Sequence, residues 1–469
     1  MRYILLVLSL LPLYVSAQDS LRVLTPETFL EWVGSYHPVA QQAALRTEQA
    51  AATLRRARGG FDPKLYGELD QKLFKGSEYY RYVDGGVKVP TRLGGLEVKA
   101  GYEQAQGLYL NPDAITPSPG LVYAGVSMPL AQGLVIDARR AALQQARIFE
   151  DAAEAERRLL LNDLYFEAIK AYWEWSLAYG QVGILDRAVE VARVRFEAMR
   201  KSFYFGDKPG VDTLEARIQL QTRLIDQQVA RLQYQQAILA LEVYLWDESS
   251  NPMLLDPATR PIPIQRLTAQ SPDPDSLLRM VEALPMQHPA LLQYRFQIAS
   301  LEVERRLKAE KLKPKVQVNY NLLQTAAPAS NGEAWVNPAL FSNNYKWGLS
   351  VGFPIFLREA RGDVELARLK IRETGLKQDL KQLELTNKLE AYAAESDILE
   401  TQIDLTAENV RQYRDLFQAE IRKFETGESS LFLLNARENK LIEAELKLIE
   451  LRTKYAKSLA GITWSAGLW

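Results

Sequence analysis

Two periods of apolar spacing alternate along the chain, and each is written twice. In the second half, Lys315, Gln317, Asn319 and Asn321 alternate with Val316, Val318, Tyr320 and Leu322. Lys346, Gly348, Ser350 and Gly352 likewise alternate with Trp347, Leu349, Val351 and Phe353. In the first half, Tyr66, Glu68, Asp70 and Lys72 alternate with Leu65, Leu69 and Leu73, and Val122, Ala124, Val126 and Met128 form a second run. Period two predicts strands with one apolar and one polar face, at about 64–73, 121–129, 315–323 and 345–354. Elsewhere the apolar positions recur every heptad. Ile218, Ile225, Leu232, Leu239 and Trp246 make one such seam, and Ile403, Val410, Phe417 and Phe424 another. That spacing predicts helices packed side by side as in a coiled coil. No proline falls between Pro129 and Pro209 or after Pro354. Long helices are therefore predicted over about 136–203 and 358–425, each roughly 100 Å long. Shorter ones follow at about 211–247 and 429–459.

The landmarks repeat in order. His37-Pro38 and His288-Pro289 share one offset with Pro63-Lys64 and Pro314-Lys315. Met128-Pro129-Leu130 resembles Phe353-Pro354-Ile355, and Ala216-Arg217 resembles Ala436-Arg437. The chain reads as a tandem duplication, with copies at 18–260 and 261–469. In each copy a helix starts at His-Pro, because proline is favoured at the first helical position.

Residues 1–17 carry a basic start, an apolar run from Tyr3 to Val15 and small residues at the end, the pattern of a signal peptide cleaved after Ala17. Every later apolar cluster is broken by charge, so a membrane would be crossed by strands. The strand runs approach the ~9–11 residues a tilted strand needs. Their polar faces carry Lys, Glu, Asp and Asn, as a water-filled lumen requires. A soluble sandwich is the alternative source of such alternation. Two strands per copy leave open edges, which lipid does not tolerate, so a spanning barrel demands several chains. Between its strands, copy one has an excursion from Phe74 to Gly120, with hairpin signals at Val87–Val89 and Leu96–Tyr102. It reads as an external loop or hairpin, with a segment folded over the mouth as the alternative. Gln221, Gln228 and Gln235 form an uncharged stripe beside one heptad seam, either a solvated face or the lining of a wet bore.

Candidate chemistry is sparse. The chain has no cysteine, which excludes disulfides, a thiolate metal site and a Cys nucleophile. A formal net charge of −1 gives no basic field for nucleic acid. The two histidines occupy equivalent repeat positions beside proline, which assigns them a structural role. No nucleophile elbow, phosphate-cradling loop or His-Glu-x-x-His motif occurs. Tyr172, Trp173 and Trp175 are expected to pack between helices. No enzyme, cofactor or metal is predicted.

The duplication, the order of elements, the two His-Pro starts, Phe61-Asp62-Pro63 and the Pro129 and Pro354 strand-to-helix steps resemble the TolC family of outer-membrane efflux proteins. So do the turns Phe205-Gly206 through Asp212 and Phe424-Glu425-Thr426-Gly427 through Asn435-Ala436-Arg437. The resemblance covers nearly the whole chain beyond residue 17. It implies a mostly α fold with a membrane β-barrel part. Three protomers would close one barrel of roughly twelve strands in outer-membrane lipid of a Gram-negative bacterium, continued as a periplasmic helical barrel. It also implies a passive duct for efflux or type I secretion. The implied partners are a periplasmic adaptor and an inner-membrane transporter such as an RND pump or ABC exporter. By position, Gly206, Asp207, Gly210, Thr426, Gly427 and Glu428 are the tip turns where the adaptor docks, and Asp212, Phe432 and Asn435 are gate candidates. Phe424 and Ser429 stand where some relatives place a tyrosine and an arginine. A periplasmic coiled-coil adaptor or scaffold is the competing reading.

Overall fold

The computed structural model describes residues 23–266, 270–326 and 344–469; the signal-peptide reading of 1–17 lies outside them. The elements are β1 (Val23–Leu24), α1 (Pro26–Tyr36), α2 (Pro38–Arg58), β2 (Lys64–Phe74), β3 (Ser77–Pro90), β4 (Glu97–Gln106), β5 (Leu121–Pro129), α3 (Ala138–Tyr204), α4 (Gly210–Glu242), β6 (Arg260–Pro261), α5 (Pro274–Gln287), α6 (Pro289–Glu310), β7 (Lys315–Thr325), β8 (Tyr345–Gly352), α7 (Arg358–Glu425) and α8 (Leu431–Ala466). The long helices α3 and α7 hold 67 and 68 residues. Two compact units result. One takes the chain up to Gln41, Leu161–Leu278 and Lys388–Trp469, and the other takes Gln42–Leu160 and Arg279–Asn387. Each draws on both halves of the sequence.

The first unit is helical. Phe29, Val33, Tyr172, Trp175 and Leu241 are completely buried in its core. The Tyr172 hydroxyl donates to the Leu24 carbonyl at 2.7 Å and accepts from the Ile262 amide at 3.1 Å, which ties down the two-stranded parallel pair β1–β6. Trp464 stacks on Phe166 at 4.9 Å, and buried Asn162 donates to its carbonyl at 2.9 Å. The α7 seam packs as a coiled coil does: Val410 and Phe417 are buried against Leu434 and Leu441. The α4 seam does not. Ile218, Ile225, Leu232 and Leu239 are each more than half exposed.

His37 is buried between α1 and α2. Its Nδ1 accepts from the Val39 amide at 3.2 Å, and its ring stacks on Tyr244. Burial pushes its pKa below the usual histidine value, with a backbone hydrogen bond at Val243 opposing. A depressed base is neutral in the fold, so the unfolded chain takes up the proton first on acidification. Its contribution is complete above the unfolded pKa of 6.5 and is lost as pH falls below it. We expect the melting temperature of the helical unit to drop as pH falls below about 6.5, and H37N, which keeps an acceptor, to flatten that slope in a circular dichroism melt. An unchanged slope would assign the effect elsewhere.

Among the described residues, the second unit carries one antiparallel sheet in the order β2-β3-β4-β5-β7-β8. Helices α2 and α6 pack on the start of α3 through Leu54, Leu143 and Ala146, and through Ile136, Ala141 and Val303. His288 caps α6 as His37 caps α2, its Nδ1 accepting from the Ala290 amide at 3.2 Å. Asp363 at the start of α7 accepts from Lys311 at 3.0 Å and Lys308 at 3.3 Å, and the two ammonium groups hold its carboxyl below the usual range.

The strand count departs from the expectation of four. The excursion at 74–120 is a hairpin and not an external loop, and it is no appendage: β3 and β4 stand inside the sheet, between β2 and β5. Gly85, Gly86 and Gly101 interrupt the alternation there and hide its period. The fold explains Gly86 and Gly101. A Cβ on Gly101 would lie 2.7 Å from the Tyr123 hydroxyl, and one on Gly86 would lie 2.7 Å from the Gly101 Cα. The strands leave that space so that the Tyr66 and Tyr123 side chains can meet over it.

Candidate gate at the helix turns

Helices α3 and α7 end in the same way. The Asp207 amide donates to the Ser202 carbonyl at 2.8 Å and the Gly206 amide to Phe203 at 3.0 Å. At the second turn, Glu428 donates to Lys423 at 2.8 Å and Gly427 to Phe424 at 3.2 Å. This is the Schellman pattern, which needs a left-handed residue after the last helical one. Gly206 and Gly427 supply it, at φ 78° and 79°. Gly210 then opens α4 behind Pro209, and Ser430 caps α8 by accepting from the Leu433 amide at 3.3 Å.

All six turn residues, Gly206, Asp207, Gly210, Thr426, Gly427 and Glu428, are exposed. They sit among exposed Tyr204, Phe205, Val211 and Phe432. The Lys208 ammonium lies 5.3 Å from the centre of the Phe424 ring, so each turn touches the other. Ser429 donates to the buried carboxylate of Glu420.

The three gate candidates have different environments. Asp212 is half-buried in the first turn of α4, where the helix dipole favours a carboxylate. Phe432 is 71 % exposed. Asn435 is buried: its Oδ1 accepts from Arg195 at 2.9 Å, and its Nδ2 donates to Glu215 at 3.1 Å. Arg195 also pairs with buried Glu438. The structure thus joins Asn435 to Arg195, Glu215 and Glu438, on helices α3, α4 and α8, and not to Asp212 or Phe432. A second polar layer lies further along α4 and α8. Asn439 accepts there from Gln219 at 2.7 Å and from Arg223, which also pairs with Asp226 at 3.0 Å.

Arg195, Glu215 and Glu438 were not singled out from the sequence. A signal was present. Arg195 lies on the helical stripe of buried Ala192 and Met199, and Glu438 on that of Leu434 and Leu441. A charge on an apolar stripe needs a partner, because burying it alone is prohibitive.

The chain matches the profile of the family described as "Outer membrane efflux protein" over residues 112–245 and 281–468. No curated protein matches it in sequence. Among solved structures, the Campylobacter jejuni CmeC outer membrane channel superposes with a TM-score of 0.65 at 12 % identity, covering 94 % of this chain and 85 % of that one. The open state of the Neisseria gonorrhoeae MtrE outer membrane channel gives 0.66 at 14 %, covering 94 % and 88 %. The outer membrane protein VceC of Vibrio cholerae gives 0.63 at 14 %, covering 94 % and 96 %. At such identities the likeness is one of fold. The family match spans most of the chain, and it displaces the adaptor reading. The chain belongs to the outer membrane efflux protein family: it is a channel of the outer membrane, and not an enzyme.

Proposed function

We propose that the protein is a homotrimeric exit duct in a tripartite efflux or type I secretion machine. Its cargo is handed over by an inner-membrane transporter, an RND pump or an ABC exporter, and a periplasmic adaptor docks on the turns at Gly206, Asp207, Gly210, Thr426, Gly427 and Glu428. Exposed aromatic side chains beside the carboxylates of Asp207 and Glu428 offer such a partner a mixed apolar and polar surface. The gate we assign to Asp212, Phe432 and Asn435. Asn435 acts through the buried cluster that fixes α3, α4 and α8 together.

The observation that supports an oligomer is the exposed heptad seam of α4, and the number three is what the family resemblance implies. Four large aliphatic side chains in one stripe are left facing water by the chain that carries them. A coiled-coil stripe of that kind is satisfied by a neighbouring helix, and a second copy of the chain supplies one. The edge strands β2 and β8 make the same demand, since lipid leaves no unpaired backbone group satisfied.

The first test is the mass of the particle extracted in mild detergent, unboiled. A trimer is expected. The double variant Ile225→Lys, Leu232→Lys should shift the particle towards monomer, since each buried aliphatic side chain is worth about 2 kcal/mol. A wild-type monomer or dimer that stays soluble without detergent would sink the duct.

A further inference from the structure

The hairpin β3–β4 continues both faces of the sheet. On one face, Val83 and Val87 of β3 stand opposite Leu69 and Leu65 of β2. Val87 and Val89 stand opposite Ala100 and Val98 of β4, and these in turn face Ala124 and Val126 of β5. The result is an apolar band with no break at the hairpin. On the other face, Lys64, Lys88 and Lys99 lie side by side across three strands. Glu68, Asp84 and Glu103 do the same two rungs further along each strand. Like charges placed directly opposite repel one another in a sheet. Three in a row persist only where water screens them, so this face looks into water and not into lipid or a packed core.

The ends of the hairpin fit as well. Its turn, residues 91–96, sits at the rim where β2 begins and β5 ends. Arg139 at the start of α3 pairs with Glu97 at 3.3 Å, and the Arg92 guanidinium lies over the Phe61 ring at 5.6 Å. At the opposite rim, Tyr79 stacks on Tyr109 and meets Phe74 edge-on, as in the aromatic girdle of a membrane barrel. With 14 and 10 residues, β3 and β4 reach or exceed the ~9–11 a spanning strand needs.

We infer that β3 and β4 are spanning strands of the barrel wall. Each protomer then contributes six strands, and three protomers close a barrel of eighteen, not twelve. The number eighteen rests on the trimer proposed above; the placement of the hairpin does not. Barrel diameter grows about linearly with strand number, so the bore is about 1.5-fold wider and its cross-section about twofold larger.

The chain lacks cysteine, which allows an accessibility map of the full protein in outer-membrane vesicles. Single cysteines at Asp84, Lys88, Lys99 and Glu103 should react with a water-soluble maleimide at least about tenfold faster than cysteines at Val83, Val87, Val98 and Ala100. Equal reaction on both faces, or none on either, would overturn the spanning assignment. Electron cryo-microscopy of the unaltered protein provides a second reading that no substitution can spoil. Six strand densities per protomer are expected at mid-membrane, and four would refute the proposal. An alternating label pattern in a particle that is not a trimer would keep the hairpin in the wall and remove the trimer instead.

Discussion

Replacing Arg195 by methionine is expected to loosen the helix turns by about 3–5 kcal/mol, because it leaves the buried Glu438 carboxylate without its cation. Asn435 loses the donor on its Oδ1 at the same time. The first turns of α8 should then exchange their amide hydrogens faster. If this cluster holds the proposed gate, the variant should also conduct more in a planar bilayer. The double variant Arg195→Met, Glu438→Leu separates charge from contact. Removing both members of a buried pair is often close to neutral, whereas removing one is not. It should therefore recover most of the lost protection. Normal exchange and conductance in the single variant would show that the cluster neither fastens the turns nor sets the gate.

The second large effect is expected in the sheet. At Gly101, any Cβ would lie 2.5 Å from the Gly85 carbonyl and 2.7 Å from the Tyr123 hydroxyl. The first contact is with backbone, so no rotamer relieves it. Gly101→Val should destabilise the sheet by about 3 kcal/mol or more. The readout is the temperature at which the oligomer dissociates on a gel. Gly348→Ala provides the control, since nothing lies within 4 Å of a Cβ there. If both variants dissociate at the wild-type temperature, β3 and β4 are not packed as described.

The helix turns and the polar cluster beside them differ in how far the chain announces them. The turns at Gly206 and Gly427 could be read from glycine followed by a new heptad pattern, because a helix ending in a left-handed residue has few alternatives to glycine. The Arg195 cluster could not be assembled in the same way. It joins positions hundreds of residues apart, and only the packing of α3, α4 and α8 brings them within hydrogen-bond reach. Asn435 is a gate candidate through the family resemblance, by its position in the chain. That its carboxamide is held inside the protomer, between Arg195 and Glu215, depends on that packing.

Periodicity determined the type of each element without help from tertiary contacts, and the family resemblance added the membrane barrel. Strict alternation in Lys315–Leu322 and heptads in Ile403–Phe424 each admit one backbone geometry with one apolar face. At β3 and β4 the sequence marks only part of the hairpin, Val87–Val89 and Leu96–Tyr102, because Gly85, Gly86 and Gly101 shorten the visible alternation. Their place in the sheet is decided by cross-strand pairing and by the tyrosines that occupy the space the glycines leave. The heptad seams show the same division. Both α4 and α7 carry an apolar stripe, and the stripe says only that something must cover it. Tertiary structure decided that α8 covers the stripe of α7 while that of α4 stays exposed. Local spacing specifies which face seeks a partner, and only the path of the chain in space determines whether the partner lies within it.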